Sequence, residues 1–169
     1  DMPALSAVAE AHFRLGESVV RSARRIKLKG DAKKLKKAIT EKLQLMNEAK
    51  QVYEQVIAYG HPGWTIASYT QLGLAYRDFA DAVENADVPK KIQRLEEAVD
   101  EYRQQMAERA LPIRQKAVES YRRALEIARK DHWFNEYSER AEAAIAQLDL
   151  QDASIKEYRI RPDRTAPNT

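Results

Sequence analysis

Ten basic side chains crowd into one stretch of the chain: Arg21, Arg24, Arg25, Lys27, Lys29, Lys33, Lys34, Lys36, Lys37 and Lys42. Two acids, Asp31 and Glu41, lie among them. The whole sequence carries a formal net charge of +3, so everything outside this stretch is net acidic. Such a cluster is suited to holding something anionic: nucleic acid, phospholipid or an acidic protein surface. No aromatic residue interleaves it, so stacking on bases is not expected. A solvated tip that binds nothing accounts for the same residues, and both readings stay open at this point.

Other chemistry finds little support. His12, His61 and His132 are far apart, and none has a second ligand at metal spacing. Each reads as structural: His12 on an inner stripe, His61 in a turn, His132 beside Asp131 at a helix start. There is no serine elbow, no phosphate-cradling glycine loop and no His-Glu zinc motif. Carboxylate pairs such as Glu96-Glu97 fall on wet helix faces. The chain contains no cysteine, which excludes disulfides and thiolate metal sites. The expectation is a non-enzymatic protein without cofactor, metal or small-molecule substrate.

The elements that must position these residues are helical. The 169 residues suit one domain that can bury its own core. Gly and Pro are scarce, strong helix formers dominate, and 33% of the residues are charged, as expected for long helices with wet outer faces. No apolar run approaches the roughly 20 residues that span a bilayer.

Apolar residues recur in steps of three and four nearly throughout. The first helix is predicted from about Ala4 to Lys29, with Leu5, Val8, His12, Leu15, Val19 and Ile26 inward. The second runs from about Ala32 to Tyr59 and ends at Gly60-His61-Pro62-Gly63. The third runs from about Trp64 to Ala86, and the fourth from about Pro89 to Lys130, kinked near Arg109 to Leu111 by Pro112. A fifth covers about His132 to Leu148. Helical periodicity defines one domain over 1–150, and 151–169 is expected to be an extended or disordered tail.

Two half-motifs are repeated. Leu15-Gly16 in the first helix is followed by Ala49 and Tyr53 in the second. Tyr69, Leu72, Gly73 and Tyr76 in the third are followed by Ala117, Tyr121 and Ala124-Leu125 in the fourth. This pattern resembles the tetratricopeptide repeat, with large–x2–Leu-Gly–x2–Tyr followed by Ala–x3–Phe and then Pro. Gly-to-Ala separations here are far longer than in the usual repeat. The excess suits helices lengthened by about three turns or more.

The fold class expected is all-α: two long antiparallel hairpins with extended helices, a capping helix, and the right-handed α-solenoid arrangement that the resemblance implies. A narrower likeness, carried by the Pro-Ile-Arg-Gln-Lys-Ala segment and Asn135 to Tyr137, is to the tetratricopeptide proteins of bacterial envelopes in gliding and predatory bacteria. It implies a periplasmic assembly factor.

In such repeats peptides lie along the first helix of each hairpin. By motif alignment the groove comprises Glu10, Phe13, Glu17, Ala67, Thr70, Leu74, Arg77, Tyr137 and Ser138. Phe13, Glu17, Thr70 and Leu74 stand where the family's carboxylate clamp has Lys and Asn, so capture of a peptide C-terminus is not expected. Phe13 and Leu74 packing on a neighbouring helix is the competing reading. The function expected is a protein–protein scaffold, with partner binding or self-association. The alternative is an anionic-surface binder acting through Arg24, Arg25, Lys27, Lys29, Lys33, Lys34, Lys36 and Lys37. Two hairpins are short for a solenoid, where about three repeats are needed. Long helices, further repeats before Asp1, or self-association would each compensate.

Overall fold

The computed structural model describes residues 2–148. The expected tail lies outside them. All the regular structure described is helical: α1 Met2–Arg25, α2 Ala32–Ala58, α3 Pro62–Glu84, α4 Glu96–Lys130 and α5 Glu136–Leu148.

Helix ends follow from capping. α1 stops at Arg25, short of the expected Lys29, because Leu28 is drawn into the core and its carbonyl accepts from the Asp87 N–H at 3.3 Å. The Lys42 ammonium reaches across from α2 and donates to the Ala23 and Ile26 carbonyls at 2.8 and 3.4 Å. It therefore caps the carbonyls that the end of α1 leaves unpaired. Asp31 starts α2 by accepting from the Lys34 N–H at 2.9 Å. Gly60, at φ 71°, turns the chain before His61 and Pro62 open α3.

α4 begins at Glu96 and not at Pro89. The intervening residues form successive turns, Ile92 N–H to Pro89 and Leu95 N–H to Ile92. α4 continues unbroken through Pro112, so the expected kink does not divide it. α5 also starts late, at Glu136. His132 adopts a left-handed φ of 49°, and the Asn135 side chain accepts from the Tyr137 and Ser138 N–H groups at 3.0 and 3.1 Å.

The hairpins are antiparallel. In the first, His12 meets Tyr59, Gly16 meets Tyr53, and Ala23 meets Lys42. In the second, Gly73 meets Tyr121, and Arg114 pairs with Asp81 and Glu84. α1 and α3 run parallel: Ser6 accepts from Trp64, Glu17 from Gln71, and Asp78 pairs with Arg24. α2 packs on α3, while α5 packs on both α3 and α4.

Gly16 and Gly73 do the same job at corresponding places. A Cβ on Gly16 would come within 2.7 Å of the Tyr53 ring, and one on Gly73 within 2.5 Å of the Tyr121 ring. Each glycine is thus the socket for a tyrosine of the partner helix. Tyr121 therefore packs inside its own hairpin, against α3. Both phenols are buried and their hydroxyls lack a hydrogen-bond partner.

Candidate interaction surfaces

The nine groove residues do not form one open groove. Phe13, Ala67, Thr70 and Ser138 are buried. The Phe13 ring lies 5.7 Å from Tyr53, 5.2 Å from Trp64 and 5.8 Å from Tyr137. The Thr70 hydroxyl donates to the Tyr137 carbonyl at 3.1 Å. Ser138 is consumed in the α5 cap, exchanging hydrogen bonds with Asn135. The chain's own α5 therefore sits on the inner ends of α1 and α3, and that part of the expected groove is already filled. Phe13 packs on its neighbouring helices.

The remaining groove residues stay on the surface or at its edge. Glu10 is exposed and pairs with Arg14; Glu17 pairs with Arg14 and accepts from Gln71. Arg77 pairs with Asp78, and its neighbours in charge are already partnered. Leu74 and Tyr137 are half-buried, the latter beneath the Arg140 guanidinium at 5.3 Å.

Each histidine has its own contacts. His12 Nδ1 lies 2.7 Å from the Tyr59 hydroxyl with the rings stacked. His61 Nδ1 accepts from the Trp64 N–H, and His132 is exposed in the turn before α5. Among the described residues no group of three or more His, Cys, Asp or Glu could hold a metal ion. No described helix is long and apolar enough to cross a membrane.

The basic residues do gather at one end. Arg25, Lys27 and Lys29 lie at or beyond the end of α1, and Lys33, Lys34, Lys36 and Lys37 are exposed on the first turns of α2. Arg24 is fixed by Asp78, with Nε donating at 2.8 Å. Lys42 differs from the others: it is 5% exposed, and serves as the cap of α1. Burial pushes its pKa down, Lys27 and Arg24 push it further, and Asp78 opposes them. Four lysines at the start of α2 face the positive end of that helix dipole, an arrangement that costs stability. The end of α1, with Arg24 and Arg25, is favourable by the same argument.

A surface that the sequence reading missed lies on α1. Val8 and Leu15 belonged to the expected inner stripe. They are instead 47% and 51% exposed, because Ala9, Phe13, Gly16, Val20 and Ala23 make the buried face. At about 100° per residue, Val8, Ala11, Leu15, Ser18 and Ser22 fall within about 80° of one another. All five are exposed, and none is charged.

The same spacing recurs on α3. With Gly16 placed on Gly73, these five positions fall on Thr65, Ser68, Leu72, Ala75 and Phe79 of α3. All five of those are buried. α2 packs against α3, with the Lys42 Nζ 6.0 Å from the Phe79 ring centre. The α1 face is thus the exposed counterpart of a buried α3 face, which α2 meets at Phe79. The signal was present in the sequence as a second apolar stripe on α1, but periodicity alone does not say which of two stripes turns inward.

α5 closes the other end differently. Its buried side is Ser138, Ala141, Ala144 and Ile145, and Glu136, Glu139, Arg140 and Gln147 face outward. α5 thus buries one side and presents mostly charged or polar residues on the other.

The buried phenols make a testable pH signature. Burial pushes the Tyr53 and Tyr121 pKa values well above the ordinary tyrosine value of about 10. The folded chain therefore keeps protons that the unfolded chain releases as pH rises past that value, so this stability is present below it and lost above it. Urea titrations from pH 8 to 11 should show stability falling beyond pH 10. The Tyr53→Phe/Tyr121→Phe double variant should flatten that fall. At pH 7 it should equal or exceed the parent, since no hydrogen bond is lost and two orphaned hydroxyls are removed.

No family model, no curated protein and no solved structure matches this chain.

Proposed function

We propose that this chain is a tetratricopeptide-like protein–protein interaction module, without catalytic activity, that docks a partner helix on the outer face of α1. The observation that carries the reading is the exposed, uncharged Val8–Ala11–Leu15–Ser18–Ser22 face, whose counterpart on α3 is buried and meets α2 at Phe79. Isolated apolar side chains on a surface need no explanation, but a whole helix face that repeats a buried one does.

The partner's chemistry follows from what covers the α3 face. It is an amphipathic helix running antiparallel to α1, with small or aliphatic residues toward it and no charge at the centre of contact. A hairpin of the same repeat type, from another protein or a second copy of this one, meets that description. The family resemblance supports the same reading, and a place in a bacterial envelope assembly is its extension. The surface groups described offer no alternative in catalysis: His12 stacks on Tyr59, His61 caps α3, and the buried phenols are held protonated by packing.

Val8 and Leu15 replaced together by Glu should leave the melting temperature within about 2 °C of the parent, since both are exposed. Affinity capture from the source cells should lose the helical partner that the parent retains. Reversal of Lys33, Lys34, Lys36 and Lys37 should not have that effect. Undiminished capture by the folded Val8→Glu/Leu15→Glu variant would contradict the proposal.

A further inference from the structure

A second surface, independent of the α1 face, is a half-open cleft where the first hairpin's tip meets the end of α3. Its volume is about 320 Å³, at the small end of the range for ligand sites. Ile26, Leu28 and Ala82 supply an apolar floor, and Arg24, Lys27, Lys29, Lys42, Asp78 and Asp87 supply the charges.

The charges divide into spent and unspent. Arg24 and Asp78 neutralise one another, and Asp78 also receives Arg77. That leaves three ammonium groups, Lys27, Lys29 and Lys42, against the single carboxylate of Asp87. Lys27, Lys29 and Asp87 are exposed, whereas Lys42 is buried and donates to the Ala23 and Ile26 carbonyls. The cleft therefore presents a net of about two positive charges, one of them immobile in a poorly solvated wall, where charge acts most strongly.

We propose that this cleft binds a phosphate monoester, as its dianion, with the ester's organic portion on the Ile26–Leu28–Ala82 floor. Two unneutralised charges match a dianion better than a carboxylate or sulfate monoanion. The apolar floor matches an ester better than free phosphate. Lys27 and Lys29 close on the oxygens as mobile ammonium donors, and Lys42 contributes its fixed field. A soluble phosphomonoester and the headgroup of a phosphomonoester lipid share this chemistry. The rest of the basic tip, Lys33 to Lys37, steers anions toward the cleft but does not line it.

The test uses the full chain and two probes. Phenyl phosphate is titrated into ¹⁵N-labelled protein and followed by amide shifts. Vesicles of phosphatidic acid in phosphatidylcholine are tested by co-sedimentation. The expected result is saturable shifts confined to residues 24–29, 42 and 78–87, vesicle retention, or both. Lys27→Gln/Lys29→Gln should weaken binding by about tenfold or more, as for loss of charge-assisted hydrogen bonds.

Lys33→Gln/Lys37→Gln should leave it within about twofold, because those side chains lie outside the cleft. Phenyl sulfate should bind about tenfold more weakly than phenyl phosphate. Vesicle retention that phenyl phosphate competes away assigns a lipid source, and soluble binding without retention assigns a soluble ester. Absence of saturable binding in both arms overturns the proposal. So does equal weakening by the two variant pairs, which would reduce the effect to the general field of the tip. All variants carry exposed substitutions, so folding is not at issue, and neither probe reports on the α1 face.

Discussion

Phe13→Ala should lose about 3–5 kcal/mol of stability, the usual cost of emptying a fully buried phenylalanine site. That is a large share of the 5–15 kcal/mol that holds a domain together. Phe13 is fully buried and touches residues from three other helices: Tyr53 of α2, Trp64 of α3 and Tyr137 of α5. The cavity would open where α1, α2, α3 and α5 meet. Refilling it would require α5 to move inward, and the Thr70 hydroxyl pins α5 through the Tyr137 carbonyl. Urea denaturation followed by Trp64 fluorescence measures the loss directly. A loss below about 1 kcal/mol would place Phe13 outside the core. Charge at this position would also abolish partner capture, but through unfolding, so Phe13 variants are unsuited to mapping the interaction surface.

Gly73→Ala is the second large effect, and its sign separates two arguments. In a free helix, alanine in place of glycine gains about 1 kcal/mol. Here the added Cβ would lie 2.5 Å from Tyr121 Cε1 and 2.7 Å from its Cδ1. These are ring atoms of a side chain with no exposed surface, so the ring cannot swing away, and α3 and α4 must separate. Overpacking of this kind costs about 1–3 kcal/mol, occasionally more.

The clash should win, with a net loss of about 2 kcal/mol and a thermal midpoint lower by roughly 4–8 °C. Gly16→Ala should behave alike against Tyr53, at 2.7 Å. Pairing Gly73→Ala with Tyr121→Leu should recover part of the cost, because the smaller side chain leaves room for the methyl group. A double-mutant cycle with coupling of about 1 kcal/mol or more is expected. Stabilisation by Gly73→Ala alone would mean that the hairpin is looser than the ring contact implies.

Much of the fold could be read from the sequence because helix periodicity and glycine sockets are local signals. Gly16 with Ala49 and Gly73 with Ala117 were the spaced pairs visible in the sequence; the structure seats the tyrosine four residues further on, Tyr53 or Tyr121, against each glycine. Helix ends were less legible where a distant group decides them. α1 stops at Arg25 because of Lys42 on α2 and Asp87 beyond α3, and neither is near in sequence. Lys42 itself looked like one more member of a basic run. Its burial comes from facing the end of α1 across the hairpin, which charge counting does not reveal.

The candidate site was the least legible part. Motif alignment put Phe13, Thr70 and Ser138 in an open groove, since a repeat array leaves that face free. It did not anticipate that α5 would fold back onto it. The error on α1 is related. Val8 and Leu15 are its conspicuous apolar residues, and assigning them inward seemed to complete the core. The actual inner face uses Phe13 and Val20 with Ala9, Gly16 and Ala23, whose small size permits close helix approach. Val8 and Leu15 are left on the outside, on the face proposed to dock a helix.

The absence of cysteine makes that face directly measurable. Single thiols at Leu15→Cys and Leu72→Cys report the two corresponding positions, one 51% and the other 5% exposed. With a thiol-specific reagent, position 15 should label rapidly in the isolated chain and position 72 slowly. Binding of the captured partner should slow labelling at position 15 and leave position 72 unchanged. If position 15 stays equally reactive within the complex, the partner does not dock on α1 and the account of this protein's function is wrong.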